Sequence, residues 1–504
     1  MVYLLSVTVL ILSAVPSAKL CLQPVLWSQY RGVVLSLVAI LTLYAVLIFT
    51  AWQNFPWVLP YAATVAIILA GFFWWRSRPN FGVKRGFPPG SLSMVRSLAS
   101  VDDPDFYLEC GNRYDQVFKM SQFHRPTLCV TNIAKGLDLI RNNEAKLGPA
   151  ALPFDRLIPR RFIRYMERED HQHYKGILKS IILPEIILAN KEVIQTASAN
   201  HINRMSDASS RGSGIHPLPF MQDFTYDVFP VIFFGFEPGS DELEQLKVHI
   251  RRLSAFGLNN QHPNEIEDIL CEIEALILAH AETFSHKGKN GPPLSFLEKL
   301  LRTDPDAFND MTLRRNLVYM MRIGRVDVTN FLIWIWHFLS LNPEWLEKVR
   351  QEPELADFVS WRQADTHVDR IIAEALRMEQ SEYVYRKAVE DIEWNGFNIP
   401  KGWLLRVCIH EAHRNPDSFQ NPGKFDPDRF LPKKFLPTEF SPLGMGKHSC
   451  LGAHMIFSVA RYLIQHLASQ YRIELLNAGE RTLGKKHWMH WKPGDTFAIK
   501  VHRL

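Results

Sequence analysis

Polar and apolar positions divide the chain into an N-terminal stretch without charge and a long remainder in which hydrophobic residues recur every three or four positions. No charged residue falls between Gly32 and Trp75. That run holds two hydrophobic spans of about 20 residues each, placed at 33–51 and 57–75. Asn54 and Pro56 form the turn between them, and Trp52, Trp57, Trp74 and Trp75 stand at the ends where interface anchors belong. A third apolar run, 2–15, is short for a span and lacks a basic leader, so it does not read as an ordinary signal peptide. Arg76, Arg78, Lys84 and Arg85 follow the second span at once, which places the rest of the chain in the cytosol. The alternative is a buried helical hairpin of a soluble fold, but soluble cores seldom run so long without charge. The expected organisation is a membrane anchor over 1–78, a Pro/Gly-rich elbow over 79–92 carrying Pro88, Pro89 and Gly90, and a catalytic domain over 93–504.

Beyond the elbow, helical spacing marks 134–142, 172–183, 241–253, 266–284, 313–339, 343–350 and 368–378. Strand patterns are few. The segments 117–120 and 127–130 suit a hairpin, and 392–407 alternates around Asn395 and Gly396, a type I′ turn pair. The fold class is mainly α with small β-sheets. A length of 504 residues allows about three domains, yet no linker or repeat interrupts the remainder, so it is read as one large domain.

Composition narrows the function. A formal net charge of +5 without basic clusters argues against a dedicated nucleic-acid binder, and 47% hydrophobic content excludes disorder over most of the length. The six cysteines, at 21, 110, 129, 271, 408 and 450, form no C-x-x-C pair, which disfavours zinc and thioredoxin-like sites. So few thiols in so large a chain also disfavour a disulfide framework.

One cysteine stands apart. Cys450 sits in a glycine-rich loop, with Gly444, Gly446 and Gly452 at −6, −4 and +2, ahead of an apolar helix over 453–467. A thiol at a helix N-terminus meets free N–H groups and the positive end of the dipole, which favour thiolate. The glycines let backbone lie against something flat, and an isolated cysteine suits a single axial ligand rather than a four-ligand cluster. A buried structural cysteine after a turn is the alternative on this segment alone. Upstream, Glu374 and Arg377 share a helix face at i and i+3, and Arg429, in the run 425–430, is placed to complete a Glu–Arg–Arg network.

In order and spacing these segments resemble the cytochrome P450 family of haem-thiolate enzymes, from about residue 85 to the end, with an anchor similar to that of microsomal members. The resemblance implies a haem b whose iron is ligated by Cys450, a structural triad of Glu374, Arg377 and Arg429, and His413 to Pro416 at the usual place before Arg429. It implies a haem-binding loop that includes His448, Gly444, Gly446 and Gly452. A second haem contact is expected in 171–175, where His171 and Lys175 stand in the family's Trp/His-x-x-x-Arg stretch.

The chain also departs from the family. Leu443 replaces a phenylalanine at −7, His448 stands where an arginine usually meets a haem propionate, and Val459 replaces a glutamate. The helix over 313–339 contains Gly324, Asp327 and Thr329 in place of the Ala/Gly-Gly-x-Asp/Glu-Thr pattern that relays protons. Anchored on Gly324, the acid position holds Val326 and the threonine position holds Asp327. Anchored on Thr329, the acid position holds Val328. Asp327 and Thr329 are therefore the candidate relay residues. The alternative is that Asp327 only pairs with Arg325 or Arg322.

The leading expectation is a membrane-bound monooxygenase of the endoplasmic reticulum with its catalytic domain in the cytosol. It acts on an apolar terpenoid, sterol, polyketide or lipid, in secondary metabolism. No flavin or nicotinamide motif is present, so by resemblance electrons come from a separate NADPH-cytochrome P450 reductase, with Lys424, Lys433, Lys434 and Lys447 as a docking rim. A redox-neutral isomerase or dehydratase, needing no NADPH, and a non-catalytic haem-binding scaffold are the competing readings. Segments 147–157, 220–236, 320–327 and 381–385 are expected to line the pocket.

Overall fold

A computed structural model describes residues 86–92, 100, 103, 105–122, 125–150, 161–212, 214–255, 263–286, 291–352, 364–379, 384–431, 435–483 and 491–504, together with Thr64 and Ile68. The expected spans at 33–51 and 57–75, and the elbow before Gly86, lie outside the described stretches, and no helix among the described residues is long and apolar enough to cross a membrane. The part of the elbow that is described lies along a strand. Lys119, buried, donates from Nζ to the Pro88 carbonyl at 2.9 Å, and its main chain pairs with Pro89 and Ser91. Gly90 makes this approach with φ of +108°, and a Cβ there would stand 2.3 Å from the Lys119 carbonyl oxygen, so only glycine fits.

The architecture is mainly helical with small sheets. The longest helix, Met311–Leu341, has 31 residues, about 46 Å at 1.5 Å per residue. Asp310 caps it, accepting from the amides of Thr312 and Leu313, and Asn342 and Pro343 end it. Leu218–Phe234 packs along it, buried on almost every side, so its sequence shows no amphipathic period. His367–Met378 packs against it, and Ala453–Gln470 packs on Lys191–Ser210 and Glu344–Arg350. One large apolar cluster unites these helices.

A five-stranded sheet stands beside the helical body, in the order Val117–Gln122, Arg125–Val130, Leu404–Val407, Val384–Ala388, Leu147–Gly148. The first two strands form the expected hairpin, with Val117 opposite Val130 and Met120 opposite Thr127. The expected hairpin over 392–407 is shorter. Asn395 and Gly396 take φ of 49° and 76°, as a type I′ turn requires, but pairing stops at Ile399. Leu404–Val407 instead runs parallel to Arg125–Val130. Its four residues are all buried, and non-local pairing inside the sheet gives each a backbone partner that the short hairpin does not offer.

Candidate active site

The loop before Ala453–Gln470 turns through Gly444 and Gly446, with φ of 80° and 62°, and the Cys450 amide donates to the Leu443 carbonyl at 2.8 Å. Gly452 caps the helix, and the Cys450 thiol is exposed to the large cavity.

Behind this loop lies the Glu–Arg–Arg network. Arg377 grips Glu374 with two hydrogen bonds of 2.7 and 2.9 Å, and Arg429 reaches Glu374 Oε1 at 3.0 Å. The guanidinium of Arg377 also donates to the carbonyls of His413 and Pro422, and that of Arg429 to those of Gln420 and Lys424. Glu374 and Arg377 are fully buried, with charge and donors matched by partners. The network reaches the cysteine loop through His413, whose Nε2 accepts from the Ser441 amide at 3.1 Å. Burial, reinforced by Arg377, pushes the His413 pKa down to about 3, so the ring stays a neutral acceptor. Glu374, Arg377 and Arg429 stand outside the described cavity wall. They act on the site from behind, by holding the carbonyls of Gln420, Pro422 and Lys424 and, through His413, the Ser441 amide.

Above Cys450 opens a cavity of about 270 Å³. Its walls include Phe229, Phe233, Val328, Phe331, Trp334, Met455 and Ile456. Of the segments expected to line it, 220–236 and 320–327 contribute, Val384 does so within 381–385, the described part of 147–157 (147–150) does not, and 151–157 and 381–383 lie outside the described residues. Sequence reasoning missed Arg164, Glu379, Arg386 and His410 on the wall. Nothing near them in the chain marks them, because four separate elements bring them to the wall.

Basic groups gather at one side of the cavity. The rings of His171 and His448 face each other at 4.2 Å, and Lys175 donates to the Lys447 carbonyl. Burial pushes His448 down to about 2, and Arg386, His171, Lys175 and Arg164 all act in the same direction. Burial and then Lys175, Arg386 and Lys447 push His171 down to about 4. Burial lowers Lys175 as well, against the pull of Cys450. The sequence-expected His171, Lys175 and His448 therefore do meet, and Arg164 and Arg386 join them.

The long helix presents a clean stripe to the cavity: Met320, Ile323, Gly324, Asp327, Val328, Asn330, Phe331 and Trp334. Asp327 is on it, one turn beyond Gly324. Thr329, expected beside Asp327 at the site, is not. Positions i and i+2 on a helix point about 160° apart, and Thr329 faces Leu218–Phe234 instead, where its hydroxyl donates to the Arg325 carbonyl at 2.8 Å and pairs with Thr225 at 2.9 Å. Arg325 also turns away from the cavity, stacked 3.9 Å over the Tyr226 ring, and the groups acting on it are Tyr226, Arg322 and Arg251. An ion pair of Asp327 with Arg325 or Arg322 is disfavoured by the same geometry, since spacings of two and five residues put side chains on different faces.

The donor set fits a flat, apolar cofactor with an anionic edge and one axial ligand. A single thiol faces the cavity, hydrophobic walls flank it, and basic side chains crowd one rim. Among the described residues no group of three or more His, Cys, Asp or Glu is placed to hold an ion by itself. Haem matches each of these features.

Comparison with known proteins agrees. The chain is 25% identical over 428 residues to abscisic acid 8'-hydroxylase 2 of Oryza sativa subsp. indica, covering 79% of this chain and 83% of that one. It is 26% identical over 437 residues to abscisic acid 8'-hydroxylase 1 of Arabidopsis thaliana, covering 80% and 89%. The solved structure of a retinoic acid-bound cyanobacterial CYP120A1 has the same fold, with a TM-score of 0.67 at 21% identity, covering 84% of this chain and 100% of that one. Residues 89–493 match the family described as Cytochrome P450. The chain belongs to the cytochrome P450 family and is a monooxygenase-type oxidoreductase whose cofactor is a thiolate-ligated haem.

Proposed function

We propose that this enzyme inserts one atom of O2 into an apolar small molecule, of terpenoid, sterol, polyketide or lipid class, with Cys450 as the haem ligand and Asp327 as the proton-relay group. The observation that carries the reading is the placement of Asp327: it lies on the cavity stripe of the long helix, one turn from Gly324, where the family's relay alcohol is expected. Cys450-ligated haem supplies the oxygen activation. The chain's residues do the rest. Arg386, Lys175, His448 and His171 would hold the anionic rim of the cofactor, Phe229, Phe233, Phe331 and Trp334 keep the cavity apolar, and Asp327 passes protons on from water.

The balance is one substrate, one O2, one NADPH and one proton giving the hydroxylated product, water and NADP⁺. Electrons come from a separate NADPH-dependent reductase, because the sequence carries no flavin or nicotinamide motif. The exposed Lys424 and Lys447 suit an acidic docking partner, although Lys447 also pairs with Glu144 at 2.9 Å. Lys433 and Lys434 lie outside the described residues. The uncharged run from Gly32 to Trp75 with its basic flank supports an endoplasmic reticulum membrane location. The relatives are named for hydroxylation of an acid; a carboxylate at the cavity rather than an alcohol favours a substrate neutral near the long helix.

The test is stoichiometry in reconstituted membranes with reductase, across terpenoid, sterol and fatty substrates. Consumption of one NADPH and one O2 per product is expected, and Asp327→Ala should divert most NADPH to hydrogen peroxide. Turnover without NADPH would contradict the oxygenase reading, and unchanged coupling in D327A would remove Asp327 from the relay.

A further inference from the structure

We propose that Thr329, which the sequence presents as a relay residue, is instead a positioning residue that sets the rotation of the long helix and so aims Asp327 at the cavity; this rests on the relay reading above. The helix Met311–Leu341 carries two opposed stripes. Gly324, Asp327, Val328 and Phe331 face the cavity, while Arg322, Arg325 and Thr329, at i, i+3 and i+7, are buried away from it. The second stripe rests on Leu218–Phe234 and its neighbour Asp241–Ala255 through specific contacts.

Thr329 Oγ1 and Thr225 Oγ1 lie 2.9 Å apart, and both side chains are buried. Each hydroxyl has one proton and also reaches a carbonyl of its own helix, Arg325 at 2.8 Å for Thr329 and Gln222 at 3.0 Å for Thr225, so one of these carbonyls gives up its donor when the pair forms. Arg325 stacks on Tyr226 at 3.9 Å and reaches Ser254 Oγ at 3.4 Å. Two turns further along, Trp336 Nε1 donates to Met221 Sδ at 3.3 Å. Two directional bonds and one stacked ring fix a helix about its own axis. Apolar packing does so less sharply, because it is not directional.

The Thr–Thr bond matters because the interface also holds strain. Arg322 and Arg325 are buried one turn apart, and burial lowers both, to about 10 for Arg325, where Arg322 and Arg251 act in the same direction. Burying two like charges on one helix face costs stability, and the threonine pair and the Arg325–Tyr226 stack are the polar contacts that hold this face against its neighbour. The consequence at the cavity follows from geometry. A carboxylate about 6 Å from the helix axis moves by about 1 Å for a rotation of about 10°, a misplacement large enough to cost up to about a hundredfold in a reacting arrangement.

Thr329→Val is the informative variant. Valine keeps the β-branched shape and removes only the hydroxyl, and Thr225 retains the Gln222 carbonyl at 3.0 Å as its acceptor. The fold and haem loading should survive. The expected result is a severalfold rise in hydrogen peroxide formed per NADPH, restoration by Thr329→Ser, and a T329V/D327N double variant no more uncoupled than D327N alone. Amide exchange should rise around 325–329 in T329V and return to the wild-type rate in T329S. If D327N uncouples but T329V matches wild type in coupling and shifts only the melting temperature, the positioning role is overturned and the relay reading stands. If D327N leaves coupling unchanged, the relay reading fails and this inference falls with it.

Discussion

Two groups of basic side chains flank Cys450, and folding treats them in opposite ways. Behind the loop, Arg377 and Arg429 share the carboxylate of Glu374 and extend their remaining donors to four backbone carbonyls. At the cavity rim, Arg164, His171, Lys175 and Arg386 are brought up to His448 although each depresses its proton affinity. The first group is complete within the chain. The second gathers the cations Arg164, Lys175 and Arg386 around two histidines held neutral, beside an apolar wall, an arrangement that suits an anion. A matched charge network holds a fold, whereas a crowd of like charges at a cavity marks a binding edge. Substitutions should therefore act with opposite balance at the two places.

The largest effect is expected from Glu374→Gln. It leaves Arg377 buried without its carboxylate and should cost about 3–5 kcal/mol. Thermal unfolding should show the loss even before haem is added; near-wild-type stability would mean that the triad is no more needed than a surface pair. Lys175→Met sharpens the contrast. It removes one cation from the rim while keeping the aliphatic stem, so stability should stay level or rise slightly. Haem retention should fall about tenfold, the scale of one charge-assisted hydrogen bond. Transfer of haem to an acceptor protein measures this, and equal loss of stability and retention would merge the two groups into one.

A smaller effect concerns pH. His413 is kept neutral in the fold, with its pKa pushed to about 3, while the unfolded chain takes up that proton near the ordinary value of about 6.5. The folded pKa is the lower one. The stability His413 confers is therefore complete above about 6.5 and is lost as pH falls towards about 3, by up to about 1.4 kcal/mol per pH unit. Histidine to glutamine at 413 keeps an acceptor for the Ser441 amide and removes the titration, so the slope of stability against pH should fall by up to one proton. An unchanged slope would show that His413 titrates normally in the folded chain.

Much of this was legible in the sequence where local chemistry decides structure. Asn395 and Gly396 announced their turn, the hairpin 117–120 with 127–130 showed its alternation, and the Cys450 loop with its glycines pointed to one axial ligand. What failed was non-local. Leu404–Val407 left its apparent hairpin because its partner strand, Arg125–Val130, lies far away in the chain. Leu218–Phe234 was legible as a cavity segment but not as a helix, because burial on nearly all sides erases the helical period, and Lys191–Ser210 escaped notice because serines and asparagines are spread around it. Arg164 and Arg386 carry no motif that separates them from solvated arginines. Thr329 differs for another reason: motif matching puts it in the site, while helical periodicity alone turns it nearly half a turn away from Asp327.

The most direct test of the central claim is the carbon-monoxide difference spectrum of the reduced full-length protein in membranes, compared with its Cys450→Ser variant. A strongly red-shifted Soret band that disappears in C450S is the predicted result, with both chains remaining membrane-bound. A band at the position of imidazole-ligated haem in the wild type, or a red-shifted band that survives in C450S, would contradict the assignment of Cys450 as the haem ligand.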